Sequence, residues 1–204
     1  MQPKRIYFVK PHPSIEAGKF MARWREHGRL AMSFMERQGW RDVVRYVHCD
    51  AVAVAGVAND WAGMGIVVFR DAQARTDHVS VPEGRLALEA DEDLAFSQRV
   101  SRCGLVAREE VVLGGPASGL KLVRVWPKDR DHIGKVAGMR LSRHVLNWPL
   151  SPENGVGWGL DCLVIEEMWF RDVEDLVDAL RAGNDRGEVL IELVTRETVL
   201  YPRA

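Results

Sequence analysis

Several signals that identify a class of protein are missing from this 204-residue sequence. Its three cysteines, Cys49, Cys103 and Cys162, are widely spaced and form no Cys-x-x-Cys pair, so neither a zinc knuckle nor a disulfide framework is expected. The longest apolar run, residues 51–58, is too short to cross a bilayer, and the first residues lack the apolar core of a signal peptide. We therefore expect a protein of the reducing cytoplasm without a membrane partner.

An excess of charge of either sign is also missing. Lys and Arg total 28 and Asp and Glu total 29, whereas nucleic-acid-binding domains normally carry a strongly basic face. Nucleic acid is therefore not an expected partner.

The sequence also lacks the common catalytic and nucleotide-binding motifs. It has no G-x-S-x-G elbow and no Rossmann fingerprint, and the glycine-rich residues 155–159 are not followed by the Lys-Ser or Lys-Thr of a phosphate loop. His48, Cys49 and Asp50 are consecutive on a predicted strand, where neighbours point to opposite faces, so no metal site is predicted.

What the sequence does contain is an internal repeat. Four segments with strand character occur in the same order in both parts of the chain, which indicates duplication and fusion of one unit. The matches pair residues 5–11 with 121–127, 45–47 with 143–145, 67–71 with 168–172, and 106–109 with 194–197.

A linker rich in glycine and proline at residues 114–119 separates the two copies, which we call half one (residues 1–114) and half two (residues 115–204). Each half is predicted to run β-α-β-β-α-β. The predicted strands are residues 5–10, 42–48, 63–69 and 105–113, then 121–126, 143–147, 162–170 and 190–200. The predicted helices are residues 14–37, 72–102 with a break near Pro82, and 173–182.

This order predicts an α+β fold made of two ferredoxin-like βαββαβ halves. Each half forms an antiparallel sheet with helices on one face, so the bare faces are expected to pack face to face within one chain. The expected state is a monomer that is internally a pseudo-dimer, with further homodimer formation left open. The offset between the copies falls from 116 residues at the first strand to 98 at the second, so half two has a shortened first-helix region.

Two histidines of half one are candidates for acid–base chemistry. His27 shares a helical face with Phe20 and Trp24, and strand alternation puts His48 on the same strand face as Tyr46. Two imidazoles and a phenol in an apolar cavity would suit proton abstraction next to a carbonyl. The alternatives are a core histidine satisfied by one hydrogen bond for His27, and a solvent-facing strand end for His48.

Other features allow both a functional and a structural interpretation. Gly63 and Gly65 leave space on one strand face, for a ligand or for a packed aromatic such as Trp61 or Tyr46. Asp60, like its repeat counterpart, could orient a histidine but is more typical of a turn. The repeated Arg-Glu pairs at residues 108–109 and 196–197 favour an inter-sheet contact over catalysis. The seven tryptophans indicate either a well-filled core or a pocket for flat aromatic ligands.

Residues 20–27 (Phe-Met-Ala-Arg-Trp-Arg-Glu-His), then Arg45-Tyr46-Val47, then Gly63 ahead of the Val-Phe-Arg-Asp at 68–71, resemble the EthD family of the dimeric α/β-barrel superfamily. The resemblance extends over nearly the whole chain as a tandem pair. The family's helix histidine lies four residues after the tryptophan, where this chain has Gly28, while His27 lies one residue earlier on the same helical face. The family's aspartate before the third strand is absent, and half two lacks the Trp-His motif, which implies that the active pocket lies in half one.

The resemblance implies a fold shared by cofactor-free cyclases, decarboxylases and isomerases, and by haem-binding enzymes. Our leading hypothesis is a cofactor-independent enzyme that moves protons on a hydrophobic aromatic or polyketide-like carbonyl compound. The alternatives are a non-catalytic small-molecule-binding or accessory protein of a degradation or biosynthesis pathway, and a haem-dependent enzyme. The candidate catalytic residues are His27, His48 and Asp60, and the candidate substrate-binding residues are Phe20, Trp24, Tyr46, Gly63 and Gly65.

Overall fold

Antiparallel strands from the whole length of the chain form one closed barrel. The computed structural model describes residues 2–16, 18–37, 41–55, 57, 60–79, 82–129, 138–150, 159–182 and 189–202. The strands are β1 Pro3–Val9, β2 Val43–Ala51, β3 Gly63–Phe69, β4 Gly104–Leu113, β5 Leu120–Trp126, β6 Arg143–Pro149, β7 Val164–Phe170 and β8 Ile191–Tyr201. Their order around the barrel is β1-β3-β2-β8-β5-β7-β6-β4.

The barrel is closed by two seams where half one meets half two. At one seam β2 pairs with β8, with Val47 opposite Val199, and at the other β4 pairs with β6, with Glu109 opposite Asn147. The predicted face-to-face packing of two sheets therefore underestimates the contact, because the edge strands are also hydrogen-bonded to each other. Closure leaves no unpaired sheet edge among these strands.

The described helices are α1 Phe20–Arg37, α2 Ala72–Val79, α3 Pro82–Ala95 and α4 Val173–Ala182, with a 3-10 turn at Val100–Arg102. None of these helices is long and apolar enough to span a membrane. The break near Pro82 and the limits of α4 agree with the sequence prediction. Helix α1 begins six residues later than predicted, because Gly18 has a φ of +87°, which a right-handed helix does not accommodate. Trp40, Trp158 and residues 155–158 of the glycine-rich stretch lie outside the described residues.

Strand alternation divides the buried side chains between the inside of the barrel and a layer outside it. In β3, Met64, Ile66 and Val68 point inward, while Val67 and Phe69 point outward toward the helices of half one. All seven residues of β3 are buried, because this strand is covered on both faces. Parity along a strand therefore decides which of two separate environments a side chain enters.

Strand register shifts the first matched segment of the repeat by one residue. Lys4 lies opposite Val68 in one half and Lys121 lies opposite Trp169 in the other, and Val68 and Trp169 are matched positions. The structural counterpart of Lys121 is thus Lys4, whereas the sequence match paired Lys121 with Arg5. The sequence match was wrong by one residue, because a shift of one residue keeps the apolar run aligned but exchanges the two faces of the strand.

One end of the barrel interior holds a chain of alternating charges, which we call the charge chain. It contains, in order, Arg45, Glu197, Lys121, Glu167, Lys4, Glu109 and Arg143. The nitrogen–oxygen distances are 3.1 Å for Arg45–Glu197, 2.8 Å for Glu197–Lys121, 2.7 Å for Lys121–Glu167, 3.7 Å for Glu167–Lys4 and 3.3 Å for Glu109–Arg143. Lys4 also contacts Glu109. The two terminal ion pairs, Arg45–Glu197 and Glu109–Arg143, each join two strands across one seam. An inter-sheet contact is the role that the sequence analysis favoured for the repeated Arg-Glu pairs, to which Glu109 and Glu197 belong.

Lys121 and Glu167 are the fully buried centre of this chain. Burial alone would raise the pKa of Glu167, but the ammonium groups of Lys121 and Lys4 lower it to about 2. Burial likewise opposes the charge of Lys121, while its contacts with Cys49, Glu167 and Glu197 hold its pKa above the usual range. Burial raises the pKa of the Cys49 thiol to about 12, so this thiol stays protonated. The centre of the chain is therefore an ion pair at neutral pH.

We expect Glu167→Gln to lower the free energy of unfolding by about 3 kcal/mol at pH 7, because it leaves a buried ammonium group short of a counter-charge. Urea denaturation measures this loss. The difference from the wild type should shrink as the pH falls from about 4.5 to about 2, since the native carboxylate is then protonated as well. Glu16→Gln is the matched control, because Glu16 is 68% exposed and forms a surface ion pair with Lys19. Equal stability of the two variants at pH 7 would contradict the structural role of Glu167.

Candidate functional site

Most of the predicted site residues lie between α1 and the outward face of β1, β2 and β3, in what we call the outer layer. Helix α1 buries Phe20, Trp24 and His27 on the face that the sequence predicted. Strand β2 directs Tyr46 toward the same layer, and His48 follows it on the same face. Both histidines therefore face one helix–sheet layer of half one, as expected.

His48 is part of a hydrogen-bonded chain that fixes its proton. The distances are 2.6 Å from Arg25 Nη1 to His48 Nδ1, 3.0 Å from His48 Nε2 to the Tyr46 hydroxyl, and 2.9 Å from that hydroxyl to the hydroxyl of Tyr7. Because arginine can only donate, Nδ1 must accept, and a neutral ring then carries its proton on Nε2 and donates it to Tyr46. The Tyr46 hydroxyl is in turn left to donate to Tyr7.

Burial determines the charge state of this chain. It lowers the pKa of His48 to about 2, helped by the positive charge of Arg25 and by His27, so the imidazole is neutral at physiological pH. Burial raises the pKa of Tyr46 well above its usual value and that of Tyr7 to about 12. Both phenols therefore remain neutral hydrogen-bond donors.

His27 is held by an aspartate that the sequence did not single out. Its Nδ1 lies 2.8 Å from Oδ2 of Asp91 on α3, and the other oxygen of Asp91 accepts from Arg23 at 2.6 Å. Burial lowers the pKa of His27, although the hydrogen bond to Asp91 opposes the shift. Asp91 lies in an acidic run at residues 89–93, and nothing in that run shows which carboxylate faces α1.

Aromatic rings fill the space that the strand glycines leave. The indole of Trp24 stacks on His48 with ring centroids 4.0 Å apart and planes 11° from parallel. A Cβ atom on Gly63 would lie 2.5 Å from Trp24, and one on Gly65 would lie 2.1 Å from the ring of Tyr7. Packed aromatic rings thus occupy the space beside the two glycines in this structure. The rings are those of Trp24 and Tyr7, whereas Trp61 or Tyr46 was expected.

The matched aspartates do not join the histidines. The Asp60 carboxylate is 85% exposed and its ion pair is with Lys10, at 3.8 Å. Its repeat counterpart Asp161 is also exposed and pairs with Lys128. Asp91 provides the orienting contact to His27 that was expected of Asp60.

The imidazole of His48 occupies the space beside Gly28. A Cβ atom on Gly28 would lie 2.9 Å from His48 Cε1 and equally close to Leu200. Gly28 is also the position at which the resemblance to the EthD family implies a helix histidine.

Two further contacts involve histidines of the barrel wall. His48 uses both ring nitrogens for hydrogen bonds, and Nε2 of His144 on β6 lies 2.9 Å from the buried carboxylate of Glu166. Within the described ranges, no group of three or more His, Cys, Asp or Glu side chains is placed to hold a metal ion.

Comparison with known proteins identifies the fold. No family model matches the chain, and no curated protein has a matching sequence. A solved structure provisionally named a chlorite dismutase has a TM-score of 0.56 and 10% identity, over 97% of this chain and 94% of the other. A structure named an anthrone oxidase-like protein has a TM-score of 0.54 and 12% identity, over 100% of this chain and 94% of the other. The chain therefore has the dimeric α/β-barrel fold, as predicted, and identities this low show the fold alone.

We expect Gly28→Ala to destabilise the protein by about 1–3 kcal/mol, although alanine favours a helix, because the new methyl group meets a histidine ring fixed by Arg25 and Trp24. Gly84→Ala on α3 is the matched control. Its methyl group would lie 3.3 Å from the half-buried ring of Phe34, which needs to move by only a few tenths of an ångström, so a neutral effect or a gain of up to about 1 kcal/mol is expected. Thermal unfolding of the two variants compares them directly.

We expect stability to fall as the pH drops from about 6.5 toward 2, by up to about 1.4 kcal/mol per pH unit, since the unfolded chain protonates His48 and the native protein does not. His48→Gln should flatten this slope above pH 5, in urea denaturation at several pH values. Tyr46→Phe is the control, because it removes a partner but keeps the imidazole and with it the slope. An unchanged slope in His48→Gln would show that His48 is not the responsible group.

Proposed function

We propose that this chain is a small-molecule enzyme that transfers protons without a cofactor, on an aromatic or polyketide-like carbonyl compound. The observation that carries the proposal is the His27–Asp91 pair beside the His48–Tyr46–Tyr7 chain in one outer layer. We place the activity in half one and assign the chain to an EthD-like tandem of ferredoxin-like halves. The repeated strand orders β4-β1-β3-β2 and β8-β5-β7-β6 support that assignment. It would work in the cytoplasm as a monomer, consistent with three cysteines that are all free.

In this proposal His27 is the general base. A carboxylate at Nδ1 orients an imidazole and stabilises the cation that forms when Nε2 takes a proton, which is the role that Asp91 is placed to perform. His48 is a positioning residue, because a group whose pKa lies near 2 is a poor base at neutral pH. Its Nε2–H is donated to Tyr46, and the Tyr46 hydroxyl donates to Tyr7, so that the neutral Tyr7 hydroxyl can donate to a developing enolate oxygen.

The substrate would enter beside the stacked aromatics. Phe20 provides one flat apolar wall. Trp24 would form a second wall after its ring turns away from Gly63, which leaves room for the substrate beside Gly63 and Gly65. The name of one structural neighbour, an anthrone oxidase-like protein, refers to a tricyclic aromatic ketone. A ligand of that shape suits these walls.

A second candidate function is small-molecule binding without chemistry. The tight packing of the outer layer favours it: His27 is only 4% exposed and His48 is fully buried with both ring nitrogens in hydrogen bonds. The two candidates differ in whether a bound ketone exchanges its acidic protons.

The proposal is tested by the rate at which anthrone exchanges its C10 protons for deuterium. NMR monitors this exchange in deuterated buffer without oxygen. The protein should accelerate exchange above the buffer rate, and His27→Gln should slow the enzymatic rate by about 10²–10⁴-fold. Asp91→Asn should also slow it, because the base loses its orienting carboxylate. Asp60→Asn is the control and should leave the rate unchanged, since its carboxylate is exposed and pairs with Lys10.

Exchange at the buffer rate, or a rate that His27→Gln does not change, would contradict the role of His27. Anthrone that quenches tryptophan fluorescence saturably without faster exchange would support the second candidate.

A further inference from the structure

The charge chain borders a cavity of about 640 Å³ at one end of the barrel interior, which we call the barrel-end cavity. Its wall combines an apolar side, formed by Val47, Ile66 and Val68, with a charged side. The charged lining residues are Lys4, Arg45, Glu109, Arg143, Glu167 and Glu197. The volume is that of a site for a small organic ligand, and the two sides suit a molecule that is apolar at one end and polar at the other.

The charges around this cavity do not balance. Among the described residues, the charge chain has four cations and three carboxylates, so it begins and ends with an arginine and retains one positive charge. Every carboxylate is already shared by two cations. Within the part of the chain that the structure describes, in contrast, each terminal arginine forms an ion pair with one carboxylate, Glu197 for Arg45 and Glu109 for Arg143. One further negative charge would complete the alternation.

A buried hydrogen-bond donor without a partner lies at the same place. Trp169 lines the cavity and is 4% exposed, and its indole Nε1 has no acceptor within the described part of the chain. Trp169 is opposite Arg143 in the β6–β7 pairing, and the guanidinium carbon lies 5.6 Å from its ring centroid. Buried donors are rarely left unpaired in proteins, so this orphan, which lies beside an arginine that contacts one carboxylate and one backbone carbonyl, indicates a missing acceptor.

We propose that the barrel-end cavity binds an organic mono-anion, a carboxylate with an apolar body of about two rings. The carboxylate accepts hydrogen bonds from Arg143 and from Trp169 Nε1, and the apolar body lies on Val47, Ile66 and Val68. A planar carboxylate matches the fork of an arginine, and a single negative charge neutralises the excess without adding a new one. This site lies inside the barrel, whereas the histidines lie outside it, so the inference does not depend on the proposed function.

Calorimetric titration with 2-naphthoate tests the site, with 2-naphthalenemethanol as a neutral ligand of the same shape. Naphthoate should bind at a ratio of one per chain with a dissociation constant of roughly 1 mM or tighter. The alcohol should bind at least about tenfold more weakly, because it does not supply the further negative charge that the charge chain lacks.

Variants identify the groups that hold the carboxylate. Arg143→Met should weaken naphthoate binding by about ten- to a hundredfold, and Trp169→Phe, which keeps an aromatic ring and removes only the N–H donor, by about three- to tenfold. Arg108→Met is the matched control, because Arg108 precedes Glu109 on β4 but is exposed on the outward face, and its affinity should equal that of the wild type. If Arg143→Met fails to fold, Trp169→Phe carries the test.

Three results would overturn the proposal: no heat of binding with naphthoate, equal affinity for naphthoate and the alcohol, or wild-type affinity in both site variants. His27→Gln should leave naphthoate affinity unchanged. This variant distinguishes the two proposals. Proton transfer can be absent while naphthoate still binds, and naphthoate binding can be absent while proton transfer is present.

Discussion

The charge chain is the interaction on which the rest of this barrel depends. A lone ammonium or carboxylate inside a protein is strongly destabilising, so every member must be paired once the first is buried. Here the pairing runs through both seams, because Glu197 of β8 holds Arg45 of β2 and Glu109 of β4 is held by Arg143 of β6. The barrel therefore cannot open at one seam without exposing or unpairing charges that belong to both halves.

The charge chain is nearly symmetric between the two halves of the sequence. Lys4 and Lys121 are matched positions, as are Glu109 with Glu197 and Arg45 with Arg143. Glu167 alone breaks the symmetry, since the matched position in half one is Ile66. One added carboxylate joins two symmetric triplets of charges into a single chain and leaves an arginine at each end.

The outer faces of the two halves also differ at matched positions. In half one Gly65 makes room for the ring of Tyr7, and the hydroxyl of Tyr7 bonds Tyr46. In half two the matched position is Glu166, which fills its own space and accepts hydrogen bonds from Trp126 and contacts His144. The hydrogen-bonded chain of His48, Tyr46 and Tyr7 thus lies in the outer layer of half one, and the unbalanced charge lies in the barrel interior. Strand parity keeps these two environments apart, because neighbours such as Arg45 and Tyr46 point to opposite sides of one wall.

Sequence patterns alone predict the strands of both halves. They also predict the helical face shared by Phe20, Trp24 and His27 and the strand face shared by Tyr46 and His48. These features follow from periods of 3.6 and 2 residues, which are local and can be read along the chain. Four features become visible only in the folded protein. Asp91 bonds His27, Trp24 and Tyr7 fill the space beside Gly63 and Gly65, Asp60 lies on the surface away from the histidines, and seven charged side chains form the charge chain. Each of these contacts joins residues far apart in sequence, and their geometry depends on which strand edges and helix faces meet, which no local period specifies.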